Sequence, residues 1–594
     1  MENENHAKFS NFGDFEKIQT IKRYTLKGNF EDTLRKLAEL SNLYQNDDFF
    51  KIIVQSTKGK ILIQLGQFKE GIKILEESAN ESESLDNIFL DIFTSLNLVF
   101  GMIELNQLAE SLELLDNKEK ALLNLKNVHP KIQNETLVDF NFLKGKAYRK
   151  KGDLDIALDY SKKCFKIDID EENEYILADP NNLLGIIYLS KGNAELAKKY
   201  LIKSLEYYKK LDNELAKTKI QNNLGLVCRE LGNFDDAIKY FREGLEIAQK
   251  LENKRFIAMF TLNIGLVHID LFEFDKALNF LNSSLDQYLN LGLDYETALC
   301  YNLIGNIFEN KADLELALEY NKQSLSIFEK LGISSEIATN LNNIGNIYQS
   351  QGNYPKASEC YQKAFELLET LGSDIDTSFS LINLIHIGLH ENSKEKYLPF
   401  LEKLAKLDKG TNQHINHIHR LGKALILKAS DKMIERAQAQ ELFEKLSQED
   451  SIKLQHKIVA MLNICELLMF EAKAMGNDKP LIDVKNIIIS LANLADKSDN
   501  KQLLIEVLIL KSKIELIDNQ IDFSIETLEK AEKTATKTGL IRLSQKVKRE
   551  RKTLDSQIEN WHKLSKRSAS IFERMEQAKL NDYIKLACQV ALSK

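Results

Sequence analysis

The chain has 594 residues, more than one hydrophobic core serves, so it either divides into domains or repeats a small unit. A net charge of -8 over this length gives no bulk attraction to nucleic acid or to an anionic membrane. Five prolines and 25 glycines leave little punctuation for sheets and hairpins. No apolar run reaches the roughly 18–20 residues of a membrane span, and Met1-Glu2-Asn3-Glu4-Asn5 does not open a signal peptide. A soluble, cytoplasmic, mostly helical protein is expected.

Residues 1–130 read as divergent helical pairs, with turn signals at Gly28 in KGNFEDTL, Gly66 in LGQFKEGI and Asn106 in LNQLAESL. From 131 to 395 the register becomes strict. Gly152, Gly192, Gly232, Phe272, Ala312 and Gly352 follow one another at 40-residue steps. Five residues after each stands an alanine (Ala157, Ala197, Ala237, Ala277, Ala317, Ala357), and seven before each stands a glycine (Gly145, Gly185, Gly225, Gly265, Gly305, Gly345). Such register without insertion means that each unit sits in the same packing environment, as in a stack of repeats. The first glycine and the alanine belong on facing helices, where small side chains let the backbones approach. The second glycine ends the first helix, where a left-handed residue costs little. Asp153, Asn193, Asn233 and Asn353 are then placed to cap the second helix. Large residues such as Leu224, Tyr240 and Phe241 recur at helical spacing and fill the space between pairs.

Past residue 395 the signature fades. Asn392 in HENSKEKYLPFL keeps the 40-residue step, and 396–540 keeps helical periodicity without a clean repeat, EVLILKSKIELIDNQIDFSIETLEKAEKTA reading as one degenerate pair. Residues 541–594 read as amphipathic helices that cap the stack and offer a route to a homo-oligomer.

The small-x-x-Gly, Gly-Asn-Phe and Ala pattern resembles the tetratricopeptide repeat over about residues 20–395. The resemblance implies an all-α fold, a right-handed α-α superhelix ending in a degenerate helical region. Units of 40 residues exceed the usual length of about 34. In this the array is similar to the Pins family of spindle-orienting adaptors and to kinesin light chains. Across nearly the whole chain, including QAQELFEKL and WHKLSKRSASIFERMEQAKL, it is also similar to long archaeal tetratricopeptide proteins. The function implied is a scaffold, not an enzyme, that binds a peptide segment of a partner protein in a concave groove. The alternative is a ligand-responsive regulator that relays peptide binding through its C-terminal helices.

In such stacks the first helix of each pair lines the concave face. Asparagine recurs there: Asn182, Asn222, Asn302 and Asn342 at one position, Asn223, Asn263, Asn343 and Asn383 at the next, with Asn306 and Asn346 one turn beyond. An amide offers both donor and acceptor to the backbone of an extended peptide, and the resemblance implies that clamping role. The other reading is that these amides bond within and between repeats. Lys219 and Arg229 flank Asn222, and Arg149 and Lys150 end an earlier first helix. Asp179, Glu230, Asp270 and Glu309 bring the opposite sign. The lysines of the chaperone-tail clamp are not at their matching positions, so that ligand is disfavoured.

No P-loop, GxSxG or dinucleotide loop occurs, and no enzyme activity, cofactor or metal is expected. His386 and His390, and the cluster His414, His417 and His419, have helical spacing but no zinc-site context. The six cysteines are scattered without a Cys-x-x-Cys pair and read as buried thiols. The basic stretch from Arg542 to Lys552 reads as a solvated helix face, and nucleic acid is not expected as a partner. FERMEQ (Phe572–Gln577) resembles the G-protein-binding motif of Pins-type adaptors without its upstream glutamine and downstream arginine.

Overall fold

Left-handed backbone residues mark where the helices stop, and most of them fall on two ladders, of which the sequence reading found one. The first runs through Gly66, Asn106, Gly152, Gly192, Gly232, Phe272 and Gly352, all with φ between 57° and 94°. The second separates one pair from the next, at Asp212, Glu252, Gly292, Gly332 and Gly372, with φ between 50° and 68°. Phe272 adopts this conformation with a full benzyl side chain, whose ring meets that of Phe274 edge-on at 6.1 Å.

The computed structural model describes Ile18, Ile21 and residues 30–592 apart from 44–46, 86, 126–127, 312, 392–393, 411, 450–451, 476–478, 498–499, 539 and 568. Gly28, Ala312, Asn392 and the side chains of Arg542 and Cys588 lie outside the described residues. Among the described residues the regular structure is all helical.

The chain forms two units, Met1–Val267 and His268–Lys594. The first holds α1 (Phe30–Leu43), α2 (Asp48–Gln64), α3 (Phe68–Glu83), α4 (Ile88–Glu104), α5 (Leu108–Asn124) and α6 (Pro130–Lys151). It continues with α7 (Leu154–Lys163), α8 (Ala178–Ser190), α9 (Ala194–Lys210), α10 (Glu214–Glu230), α11 (Phe234–Lys250) and most of α12 (Lys254–Asp270). In the second lie α13 (Phe274–Leu291), α14 (Asp294–Asn310), α15 (Leu314–Leu331), α16 (Ser334–Ser350), α17 (Tyr354–Leu371) and α18 (Asp374–His390). They are followed by α19 (Lys394–Leu407), α20 (Gln413–Lys428), α21 (Met433–Gln448), α22 (Leu454–Met475), α23 (Lys479–Lys497) and α24 (Lys501–Ile517). The chain closes with α25 (Ile521–Lys537), α26 (Ile541–Lys566), α27 (Ile571–Ala578) and α28 (Leu580–Leu592). Pairing therefore persists through 396–540, where the sequence signature has gone.

Helix α11 shows why these residues form these elements. Asp235 and Asp236 complement the N-terminal dipole, and Ala237, Phe241, Gly244 and Ala248 bury one stripe at helical spacing. Close approach within a pair rests on the glycine of the first helix. A Cβ on Gly185 would stand 2.5 Å from Leu201 Cγ, one on Gly225 2.3 Å from Phe241 Cε1, and one on Gly345 2.6 Å from Tyr361 Cε1. The alanines face the same contact: the Ala197 carbonyl would lie 3.3 Å from that Cβ on Gly185, and Ala317's 3.2 Å from one on Gly305. Near the turn, rings twelve residues apart stack almost parallel, Tyr148 on Tyr160, Tyr188 on Tyr200, His268 on Phe280 and Phe308 on Tyr320, at 5.3–5.6 Å.

The capping expectation needs correction. Asn193 and Asn353 accept from the backbone N–H three residues on, whereas the Asp153 and Asn233 side chains cap nothing. The Asp153 carboxylate pairs with Lys151 at 3.0 Å instead; nothing in the structure explains Asn233.

Two substitutions test this geometry. Gly225→Ala should destabilise the first unit by about 1–3 kcal/mol, because Phe241 is fully buried and cannot move aside cheaply. Glu252→Gly should stabilise it by up to about 1 kcal/mol, relieving an exposed left-handed residue against some loss to the more flexible unfolded chain. Urea midpoints followed by circular dichroism measure both.

Candidate functional site

Because small residues hold each pair together, the outer face of the first helix is free to vary. In the first unit, faces from α2, α4, α6, α8 and α10, with the 3-10 helix Glu171–Leu177 that carries Tyr175, line one cavity of about 190 Å³. Its walls are apolar and aromatic at Leu96, Phe100, Phe142, Tyr175 and Leu215. Charges recur along its floor at the 40-residue step, as Asp139, Asp179 and Lys219.

The charges on this floor, and those coupled to them from beside it, are unevenly paired. Lys146 Nζ lies 2.5 Å from Glu104 and 3.8 Å from the centre of the Phe100 ring. Burial drives Lys146 down to about 8, against the opposing pull of Glu104 and Asp179. Burial pushes Glu104 up, but Lys146, Lys150 and Lys219 outweigh it and hold the carboxyl below its ordinary range. Lys150 donates to the carbonyls of Ile103 and Glu104, closing the C-terminal end of α4. Asp179 accepts from the Tyr208 hydroxyl at 2.6 Å. Lys219 is different: it lines the cavity and makes no hydrogen bond or ion pair among the described residues. Burial lowers its pKa, and the fields of Asp179 and Glu104 only partly restore it.

The asparagines mostly answer one another. Asn263 donates to Asn222 at 2.6 Å, Asn222 to Asn223 at 3.4 Å, and Asn223 to Asn182 at 2.9 Å, a ladder of amides crossing α12, α10 and α8. In the second unit Asn306 donates to Asn302, Asn302 donates to Asn321 and Asn340, and Asn342 exchanges bonds with Ser380. Asn346 accepts from Tyr361. Among the described residues two amides have no partner, Asn343 and Asn383. The structure thus gives most of these residues the inter-repeat role, and only Asn182 joins the cavity lining. Arg229 sits in the last turn of α10, away from that lining.

Sequence reading missed Lys146, Glu104, Phe100 and Tyr175. Lys146 was within reach, since it lies one helical turn beyond Phe142, the residue in register with Asn182. Tyr175 was too, standing 40 residues before Leu215; Phe100 and Glu104 come from a unit whose signature is too worn to set a register.

The remaining features are dispersed. His417 pairs with Glu449, His419 with Asp408, and His386 Nδ1 accepts from the Gln349 amide. His414 and His456 stack at 5.6 Å. Burial holds His386, His414 and His456 down at about 4. No group of three or more metal-binding side chains is arranged around a common point among the described residues. In the basic stretch Lys546 pairs with Glu506, and Arg551 with Glu529 and Glu532. Cys164 and Cys300 are buried thiols pushed up to about 12. No described helix is long and apolar enough to cross a membrane.

The chain matches the tetratricopeptide repeat family over residues 138–169, 176–250, 256–330 and 339–371. No curated protein matches it. Among solved structures it is similar to a Rap protein complexed with Competence and Sporulation Factor, at 16% identity over 68% of this chain and 99% of that one, TM-score 0.43. It is also similar to the apo quorum sensor NprR from B. thuringiensis, at 13% identity over 61% and 99%, TM-score 0.42. A third is BtubC (BKLC) from P. vanneervenii, at 17% identity over 38% and 91%, TM-score 0.31. At these identities the likeness concerns the fold alone.

The electrostatics of the groove can be checked directly. Methyl NMR on the reductively methylated chain should show Lys146 titrating near 8, and Glu104→Gln should move it lower still. A folded pKa below the unfolded value makes the first unit gain stability as pH rises from about 8 towards the ordinary lysine range. Titration of Lys146 at the ordinary lysine value would refute this reading of the groove.

Proposed function

We propose that this tetratricopeptide-repeat protein binds an extended segment of a partner protein in the groove of α2, α4, α6, α8 and α10. The observation that carries this reading is Lys219, an ammonium left without a partner on an aromatic-walled floor. Keeping a charge half-buried and unpaired costs stability unless something else supplies the counter-charge. A carboxylate of a bound peptide does so, while Phe100, Phe142 and Leu215 take up its apolar side chains. Asn182, whose amide N–H groups carry no bond among the described residues, adds a donor for a peptide carbonyl. Recognition is then by one charge and two or three apolar contacts on a pre-formed surface.

Nothing in this reading requires chemistry, and we propose a binding protein without catalysis. Of the two uses of such a groove, scaffold and ligand-responsive regulator, the second has an element to work through. Helices α27 and α28 fold back on the first helices α22 and α24 of their own unit, instead of extending the stack.

Peptides selected from a random display library on the purified chain should carry an acidic group beside an aromatic or branched residue. Their affinity should fall at least tenfold on Lys219→Ala, with helical circular dichroism unchanged. Selection of peptides indifferent to Lys219 would overturn the assignment. Alanine at Asn222, Asn263, Asn302 and Asn342 should act differently, lowering stability through the lost amide ladder.

A further inference from the structure

We propose that α27 and α28 are a built-in occupant of a second groove, on the face shared by α22 and α24. The groove takes a partner's amphipathic helix of the same chemistry when they leave. The inference concerns the second unit alone and stands apart from the peptide reading of the first.

Counting back from the left-handed residue that ends each first helix, Glu506 stands 13 residues before Asn519, as Lys219 stands 13 before Gly232. Lys513 stands six before Asn519, as Lys146 stands six before Gly152. So Glu506 and Lys513 occupy in α24 the positions held in the first unit by Lys219, which lines the groove, and by Lys146, whose field reaches it. Glu506 and Lys513 are each held partly by α26, where Glu550 pairs with Lys513 at 2.7 Å, and partly by the helices that follow it. The Tyr583 hydroxyl donates to Glu506 at 2.5 Å, and Lys513 donates to the carbonyl of Ala578 at 3.0 Å. Lys546 from α26 completes the anchor, 2.8 Å from Glu506 and 4.3 Å from the centre of the Tyr583 ring.

Around this anchor the surface is apolar, without the row of charges that lines the first unit's groove. Ile458 and Leu462 of α22, with Leu503, Val507 and Leu510 of α24, form a wall that water would otherwise meet. Helix α28 covers it with Leu580, Tyr583, Ile584 and Ala587, spaced to fall on one helical face. This is a helix laid in a groove, its specificity set by the tyrosine and its affinity by the apolar stripe.

Three features mark the contact as releasable. A cavity of about 70 Å³ remains between Ala587 and the wall, so the fit is incomplete. The polar anchor is a charge cluster that any competing tyrosine or hydroxyl can satisfy. Lys579, left-handed at φ 50°, separates α28 from α27 with a bend that is strained for a lysine and lost when α28 detaches.

The test uses the full-length chain and a fluorescent peptide spanning residues 579–592 of this sequence. The double change Leu580→Glu with Ile584→Glu should empty the groove, and the peptide should bind that variant at least tenfold more tightly than the unaltered chain. Adding Glu506→Gln should weaken the peptide about fivefold. Equal affinity for both chains, or binding to neither, would overturn the proposal. In the unaltered chain, whose folding is not in question, amides of α28 should exchange with deuterium at least tenfold faster than those of α22 and α24. Exchange as slow as theirs would mean a permanent cap and would equally overturn it.

Discussion

The distance between the two helices of each pair is the constraint from which the rest follows. A glycine on the first helix sets it, because no Cβ fits there: Leu201, Phe241, Asn321 and Tyr361 each fill the space where one would stand. The residue opposite varies from leucine to asparagine to tyrosine, so the glycine is the invariant part of the contact and its partner is not. Backbone proximity, and not one favoured side-chain pair, therefore defines the repeat. A pair held this way buries too little alone, and stability comes from neighbours stacking along the array.

Once pairing is assured by small residues on the inner sides, the outer face of the first helix carries little structural duty. The array uses that freedom in three ways. From α8 to α12 it builds a ladder of amides that ties successive repeats together. From α2 to α10 it gathers buried charge against aromatic rings, with Lys146 satisfied by Glu104 and Lys219 left unsatisfied. At α22 and α24 it turns apolar and is covered by the end of the chain. One architecture thus presents a polar, a mixed and an apolar surface in turn, differing only at a few positions in register.

Much of the fold was legible because its rules are local and repeat. The 40-residue ladder of glycines and alanines placed the helix ends and facing contacts between 131 and 395, and the structure adds the stacked rings that follow the same step. The second ladder stayed hidden because Asp212 and Glu252 take the left-handed conformation that sequence reserves for glycine or asparagine. Pairing beyond 395 was only dimly visible: the pairs survive there on buried leucine and isoleucine, and apolar runs do not declare a register. The site was less legible than the fold. Asparagine at a repeated position looks the same whether it faces a ligand or the next repeat, and only the distances show that most of these amides are spent on one another. Lys219 was singled out from its place beside Asn222, but its lack of a partner depends on groups brought from α4 and α8, far away in sequence.

What occupies the groove of the first unit decides its function. The most direct measurement is a crystal structure of the chain with a bound, selected peptide. It should show the peptide crossing α4, α6, α8 and α10 with a carboxylate within hydrogen-bond reach of Lys219 Nζ and an apolar side chain against Phe100 or Phe142. A peptide bound along the second helices, with Lys219 still unpaired, would contradict it.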